Sequence, residues 1–157
     1  MSKGDIAKEY FEQGYNCSQS VALAFADEVG MDSKLIARLT GGFGGGMGRM
    51  REVCGTVSGT AFVLSALYGY SDPTDADAKA QLYADVQKVA GEFKDKNGSV
   101  VCRDLLGLTQ DGFDNPQPEK RTDSYYKKRP CGDLVKMSAD FLEKFIADNP
   151  QNNIKII

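Results

Sequence analysis

An all-α fold is what this sequence predicts: a single-domain helical bundle of about six or seven helices over residues 1–157, with a glycine-rich loop before a buried central helix. Three observations lead there. Apolar residues recur at three- and four-residue spacing along most of the chain. Capping residues and glycines punctuate those runs. No two alternating runs pair as strands, and neither a repeat nor a linker divides the chain. With 157 residues, 41% hydrophobic and 26% charged, the chain can bury a core without disulfide staples.

Ile6, Tyr10 and Phe11 predict a short first helix that ends at Gly14. Asn16 caps a second, with Val21, Phe25 and Val29 on one face and Gly30 as its stop. Asp32 caps a third through Leu35, Ile36 and Leu39. Six of the eight residues from Gly41 to Gly48 are glycine, a composition that no regular helix would choose. The helix that follows, about Glu52 to Tyr68, is almost uncharged and is therefore assigned to the centre of the bundle. Gly55 and Gly59 lie on one of its faces and allow another backbone to come close.

Ser71-Asp72-Pro73-Thr74 forms a turn, and Thr74 with Asp77 resembles a capping box. The long helix it starts carries Leu82, Val86, Val89 and Phe93 and stops at Asn97-Gly98. Ser99 caps a helix with Cys102, Leu105 and Leu106, ended by Gly107. From Leu108 to Pro130, prolines, Asp111-Gly112 and a run of charges predict an ordered loop or a lid. A last helix from Cys131 to about Asp148 turns Leu134, Val135, Met137, Phe141, Leu142 and Phe145 inward, and Pro150 ends it. The apolar tail Ile154 to Ile157 suits docking on the body or on a second subunit, as in a homodimer.

The charge balance narrows the function. A formal charge of −3 gives no electrostatic footprint for nucleic acid or an anionic membrane. No apolar run reaches the ~20 residues of a membrane span, and Met1-Ser2-Lys3-Gly4-Asp5 carries no apolar leader. A cytoplasmic location is the expectation. There, thiols stay reduced unless they are catalytic, sensing or metal-bound. The chain has no histidine and no tryptophan. Ser-His-Asp and Cys-His catalysis, His-ligated haem and His-containing zinc sites are thereby excluded.

Attention falls on the four cysteines, Cys17, Cys54, Cys102 and Cys131. Each is predicted near the first turn of a different helix. Free N–H groups and the helix dipole stabilise a thiolate there, so lowered thiol pKa values are expected. No Cys-x-x-Cys occurs, so any shared site must be assembled from distant segments. Four such thiols admit dithiol–disulfide cycling, a [2Fe–2S] cluster held for electron transfer, or a tetrahedral zinc or other soft metal. Burial as inert core side chains is the plain alternative. Cys54 is expected at the centre, since the glycine loop and Arg49 precede it directly.

The loop itself lacks both the G-x-G-x-x-G and the Gly-Lys-Ser/Thr spacing of phosphate loops. Its amides, at Gly44, Gly45, Gly46 and Gly48, are instead expected to face a thiolate or a bound cluster, with Arg49 and Arg51 adding positive charge; tight helix packing around a flexible turn is the plain alternative. Arg121, Lys127, Lys128 and Arg129 make a basic edge beside Cys131, and Tyr125 and Tyr126 are placed to cover the site. Asp72, Asp75 and Asp77 sit at a helix start, where capping is the default role.

Asn16-Cys17-Ser18-Gln19, Gly42-Phe43-Gly44-Gly45-Gly46-Met47-Gly48 and Glu52-Val53-Cys54-Gly55-Thr56-Val57-Ser58-Gly59 resemble the C_GCAxxG_C_C family of bacteria and archaea. Cys102 and Cys131 supply its later single cysteines, so the resemblance covers nearly the whole chain. Thr56 departs from the family's usual alanine. The resemblance implies a redox role resting on the four cysteines, served by a redox partner protein. A related domain in split-Soret cytochromes is associated with an iron–sulfur cluster, which keeps [2Fe–2S] among the expected cofactors. No haem-attachment motif is present.

Overall fold

In the computed structural model, which describes residues 1–150, the regular secondary structure of the described residues is helical, with one isolated β-bridge between connecting segments. The tail at Ile154 to Ile157, expected to dock, lies outside the described residues. The nine helices among the described residues are α1 (Lys3–Glu12), α2 (Cys17–Ala24), α3 (Ala26–Val29), α4 (Ser33–Thr40), α5 (Gly55–Tyr68), α6 (Ala76–Asn97), α7 (Cys102–Leu105), α8 (Asp123–Lys128) and α9 (Cys131–Asp148). Two exceed the predicted number. The second predicted helix breaks at Phe25, whose ψ of 19° ends α2 and starts α3. The predicted loop contains α8, capped by Thr122 through the amide of Tyr125.

Local chemistry explains most boundaries. Asn16 accepts from the amide of Gln19 while the Gln19 side chain accepts from the Asn16 amide, a reciprocal cap on α2. Asp32 caps α4, and Gly30 and Gly98 close α3 and α6 in the left-handed conformation. Two expectations change. Asp75 rather than Thr74 caps α6, and Asp72 holds Thr74 in the preceding turn. Ser99 is two residues further from α7 than a cap would be; it accepts from the Val101 amide and donates to Asp104. Of the acidic cluster at Asp72, Asp75 and Asp77, Asp75 is therefore the cap, Asp72 braces the turn before it and Asp77 lies in the first turn of the helix.

The central position of α5 is observed: Val63 and Leu64 are fully buried within it. α2 lies across α5, α1 runs along α9, and α6 closes against α5 and α9. The main core gathers Phe25, Val21, Ile36, Leu64, Val135 and Leu142, all at most 1% exposed. In α4 only Ile36 of the predicted apolar set goes inside, because Leu35 and Leu39 remain 45% and 49% exposed. In α9, Met137 and Phe141 are half-buried at the edge of the core. The α1–α9 pair is also pinned by Lys136, which reaches Asp5 at 2.9 Å and Asp140 at 3.0 Å.

The α2–α5 crossing is close because α5 offers bare backbone. A side chain at Gly59 would stand 2.7 Å from the Ser18 carbonyl oxygen, and one at Gly55 would meet the sulfur of Cys17. Gly59→Ala is therefore expected to destabilise the fold by about 1–3 kcal/mol through overpacking, against its better helix propensity. Gly91→Ala, in open space on α6, is expected to stabilise it by about 0.5–1 kcal/mol. Urea unfolding of the two variants measures both signs.

Candidate functional site

The glycine-rich segment before α5 forms two short turns, Gly41–Phe43 and Gly44–Met47. Five consecutive residues, Gly45 to Arg49, have φ between 56° and 70°. A left-handed turn costs an L-residue about 1–2 kcal/mol each, so the segment consists mainly of glycine. Met47, Arg49 and Arg51 adopt it nonetheless, with φ of 70°, 63° and 63°. The amides of Gly48, Arg51 and Glu52 close the turn onto the carbonyls of Gly42, Gly45 and Gly46.

The chain then meets Val101 in an antiparallel bridge at Val53. The Cys54 amide donates to the Val100 carbonyl at 2.8 Å, and the Cys102 amide to the Glu52 carbonyl at 2.6 Å. This pairing, a single bridge with no strand around it, sets Cys54 and Cys102 at diagonal positions across the Val53–Val101 pair, on the same face.

Each cysteine occupies the start of its own helix. Cys17, Cys102 and Cys131 are the first residues of α2, α7 and α9, and Cys54 is the residue that precedes α5. All four line one cavity of about 410 Å³. Cys54 and Cys102 are buried, while Cys17 and Cys131 are half-buried. All four are free thiols, and among the described residues no three Cys, Asp or Glu side chains group closely enough for a single metal ion.

The expected thiolate stabilisation does not follow from position alone. Burial pushes the Cys54 thiol up to about 12, the negative charge of a Cys17 thiolate adds to it, and hydrogen bonding from Thr56 only partly offsets the rise. Burial likewise pushes Cys131 up to about 12, again with Cys17 as the largest charge contribution. Cys17 is raised by burial, although the Gly45 and Ser18 amides pull the other way. Desolvation outweighs the helix N-termini, and neighbouring sulfurs repel one another once ionised.

The loop meets the sulfurs differently from expectation. Gly44, Gly45, Gly48 and Arg49 line the cavity. Gly46 lies behind it, where a side chain would stand 2.6 Å from Cys102 Cβ. Arg49 turns toward Asn115 and Asp114, reaching the latter at 3.2 Å. Arg51, expected only to add positive charge before Cys54, reaches the Cys102 sulfur, with Nη1 3.6 Å from Sγ. Thr56 brings its hydroxyl 3.2 Å from Cys54 Sγ, so the departure from alanine adds a polar contact at the site. No sequence signal links Arg51 to Cys102, because the partners are 51 residues apart.

Segment 106–122 crosses the mouth, with Pro116, Pro118 and Glu119 on the cavity wall. Arg129 pairs with Glu119. Arg121 is stacked over Phe11 at 4.3 Å and Tyr125 at 4.9 Å and donates to the carbonyls of Phe11 and Tyr15. Tyr125 lines the cavity; Tyr126 packs behind it, edge-on to Phe11. Neither Lys127 nor Lys128 lines the cavity, so the basic edge contributes only Arg121 and Arg129 to it.

Fold and site together define a helical domain that carries four thiols from separate helix starts to one cavity. The chain belongs to the family described as "Putative redox-active protein (C_GCAxxG_C_C)", whose model matches residues 15–145. No curated protein and no solved structure matches the chain. No helix among the described residues is long and apolar enough to cross a membrane.

The raised thiols have a consequence for pH. A group held protonated by the fold contributes stability below its unfolded pKa and loses it as pH rises through the folded one. Metal-free, reduced protein is therefore expected to lose stability between about pH 9 and 12. Cys131→Ala should flatten that decline in urea midpoints measured across the range, and a decline of unchanged slope would contradict the assignment.

Proposed function

We propose that the four cysteines act together as the thiolate shell of a [2Fe–2S] cluster, making the protein an electron carrier for a redox partner protein. The carrying observation is that four sulfurs from four helix starts line one cavity. Cys17, Cys54, Cys102 and Cys131 would hold the cluster, which supplies one-electron redox chemistry when bound.

Charge supports this reading. Arg49, Arg51, Arg121 and Arg129 border the cavity; among the described residues Glu119 is the one acid that lines it, and Asp114 pairs with Arg49 and Arg51 from outside it. An oxidised [2Fe–2S] core with four thiolates carries about two negative charges, which matches the excess of arginine. Ionising Cys17, Cys54 and Cys131 is unfavourable without a central cation, since burial raises all three, and metal binding drives that deprotonation. The Gly45 amide, the Thr56 hydroxyl and the Arg51 guanidinium are donors positioned toward Cys17, Cys54 and Cys102 respectively. Donors of this kind tune cluster potentials.

The other thiol chemistries are less well served. Thiol–disulfide exchange needs thiolate, and Cys54 and Cys131 are held protonated near neutral pH. A lone zinc ion needs sulfurs about 2.3 Å from one centre. Among the described residues, no three ligand side chains are grouped for one ion.

Anaerobic reconstitution tests the proposal. Wild-type protein is expected to take up about two iron and two sulfide per chain and to turn brown. Cys17→Ser should take up markedly less. Iron and sulfide uptake equal in wild type and Cys17→Ser, or a colourless wild type that gains a reversible disulfide instead, would overturn it.

A further inference from the structure

Arg51 is 4% exposed and adopts a left-handed φ of 63°, unfavourable for an L-residue that carries a Cβ and therefore imposed by its surroundings. Its three guanidinium nitrogens have two destinations. Nη1 lies 3.6 Å from the Cys102 sulfur. Nε and Nη2 reach the same Asp114 carboxylate oxygen at 3.1 and 2.8 Å. Burial opposes the guanidinium charge, but the sulfur and the carboxylate outweigh it and hold Arg51 protonated.

Asp114 belongs to the segment that crosses the cavity mouth. Its amide donates to the Arg49 carbonyl at 3.1 Å, and Arg49 Nη2 reaches its carboxylate at 3.2 Å. Arg103 secures the same segment from the other side through the carbonyls of Gln110 and Gly112. Arg51 thus joins the cover to one of the four sulfurs through a single planar group. Lysine has no such fork and cannot hold both in the same way.

We infer that Arg51 is a positioning residue of the four-sulfur site, donating to the Cys102 sulfur while it latches segment 106–122 over the cavity through Asp114. The sulfur half rests on the cluster reading above; the latch half does not. A positive donor at a cysteinyl sulfur stabilises the added electron of a reduced cluster and raises its potential. Asp114 offsets part of that positive charge. The two side chains therefore act on the potential in opposite directions, although both hold the cover.

The test uses the full chain as wild type, R51M, R51K and D114N, with exposed Arg38 changed to Met as the control. Midpoint potentials are read by optical titration of the iron-loaded proteins. R51M is expected to shift to more negative potential at unchanged iron content, R51K to fall between it and wild type, and D114N to shift to more positive potential. Amide exchange is read on the metal-free proteins. R51M and D114N should each speed exchange at Asp114 and Asn115 by about tenfold, and R38M should leave it alone.

An R51M potential equal to wild type at full iron loading overturns the sulfur half. If R51M does not fold, a D114N potential that stays put or turns more negative does the same. Unchanged exchange in the metal-free variants overturns the latch with the cluster reading intact. A wild type that takes up no iron overturns the cluster reading and the sulfur half together, while exchange still decides the latch.

Discussion

Everything at the site depends on how closely α2 can lie on α5. That distance is set by two missing side chains. Gly59 leaves room for the Ser18 carbonyl, and Gly55 leaves room for the Cys17 sulfur. With any larger residue the first turn of α2 would be forced away, and Cys17 would withdraw from the cavity. The left-handed glycine turn then has space to fold over the same corner. Its Gly45 amide is turned toward Cys17, and Gly46 packs on Cys102. Backbone without side chains is how this fold brings sulfur from separate helices to one place.

The price of that convergence is electrostatic. Placing Cys17, Cys54 and Cys131 away from water favours their neutral forms over their reactive ones. The partial positive charges at the helix starts are real, but burial exceeds them at Cys17, Cys54 and Cys131. The surrounding arginines favour negative charge in the cavity, and Arg129 and Arg121 already offset part of the rise at Cys131. An anionic metal–sulfur cluster carries such charge, which is why the raised thiols and the arginine excess belong to one explanation.

Much of this architecture was readable from the chain because it is encoded locally. Asn16, Asp32, Gly30 and Gly98 mark helix ends by their own conformational chemistry, and the structure uses each as expected. Gly55 and Gly59, four residues apart, signalled close approach before the partner helix was known. The place of Cys17 at a helix start followed from the Asn16 cap, that of Cys54 from the glycine loop and that of Cys131 from Pro130, whereas Ser99, expected to cap the Cys102 helix, does not. What stayed hidden is non-local. The Val53–Val101 bridge is a single pair without an alternating run on either side. The Arg51–Asp114 contact joins residues 63 apart. The direction of the thiol shifts depends on depth of burial, which no spacing reveals. Phe25 broke a helix that periodicity had run through to Val29, since its apolar side chain satisfies the pattern in either conformation.

The central claim is that four sulfurs act as one cluster shell. X-ray absorption at the iron edge of anaerobically loaded protein tests it most directly. The account predicts iron surrounded by sulfur alone, with a second iron as a near neighbour. Iron bound through oxygen or nitrogen, or isolated iron with no metal neighbour, would contradict it.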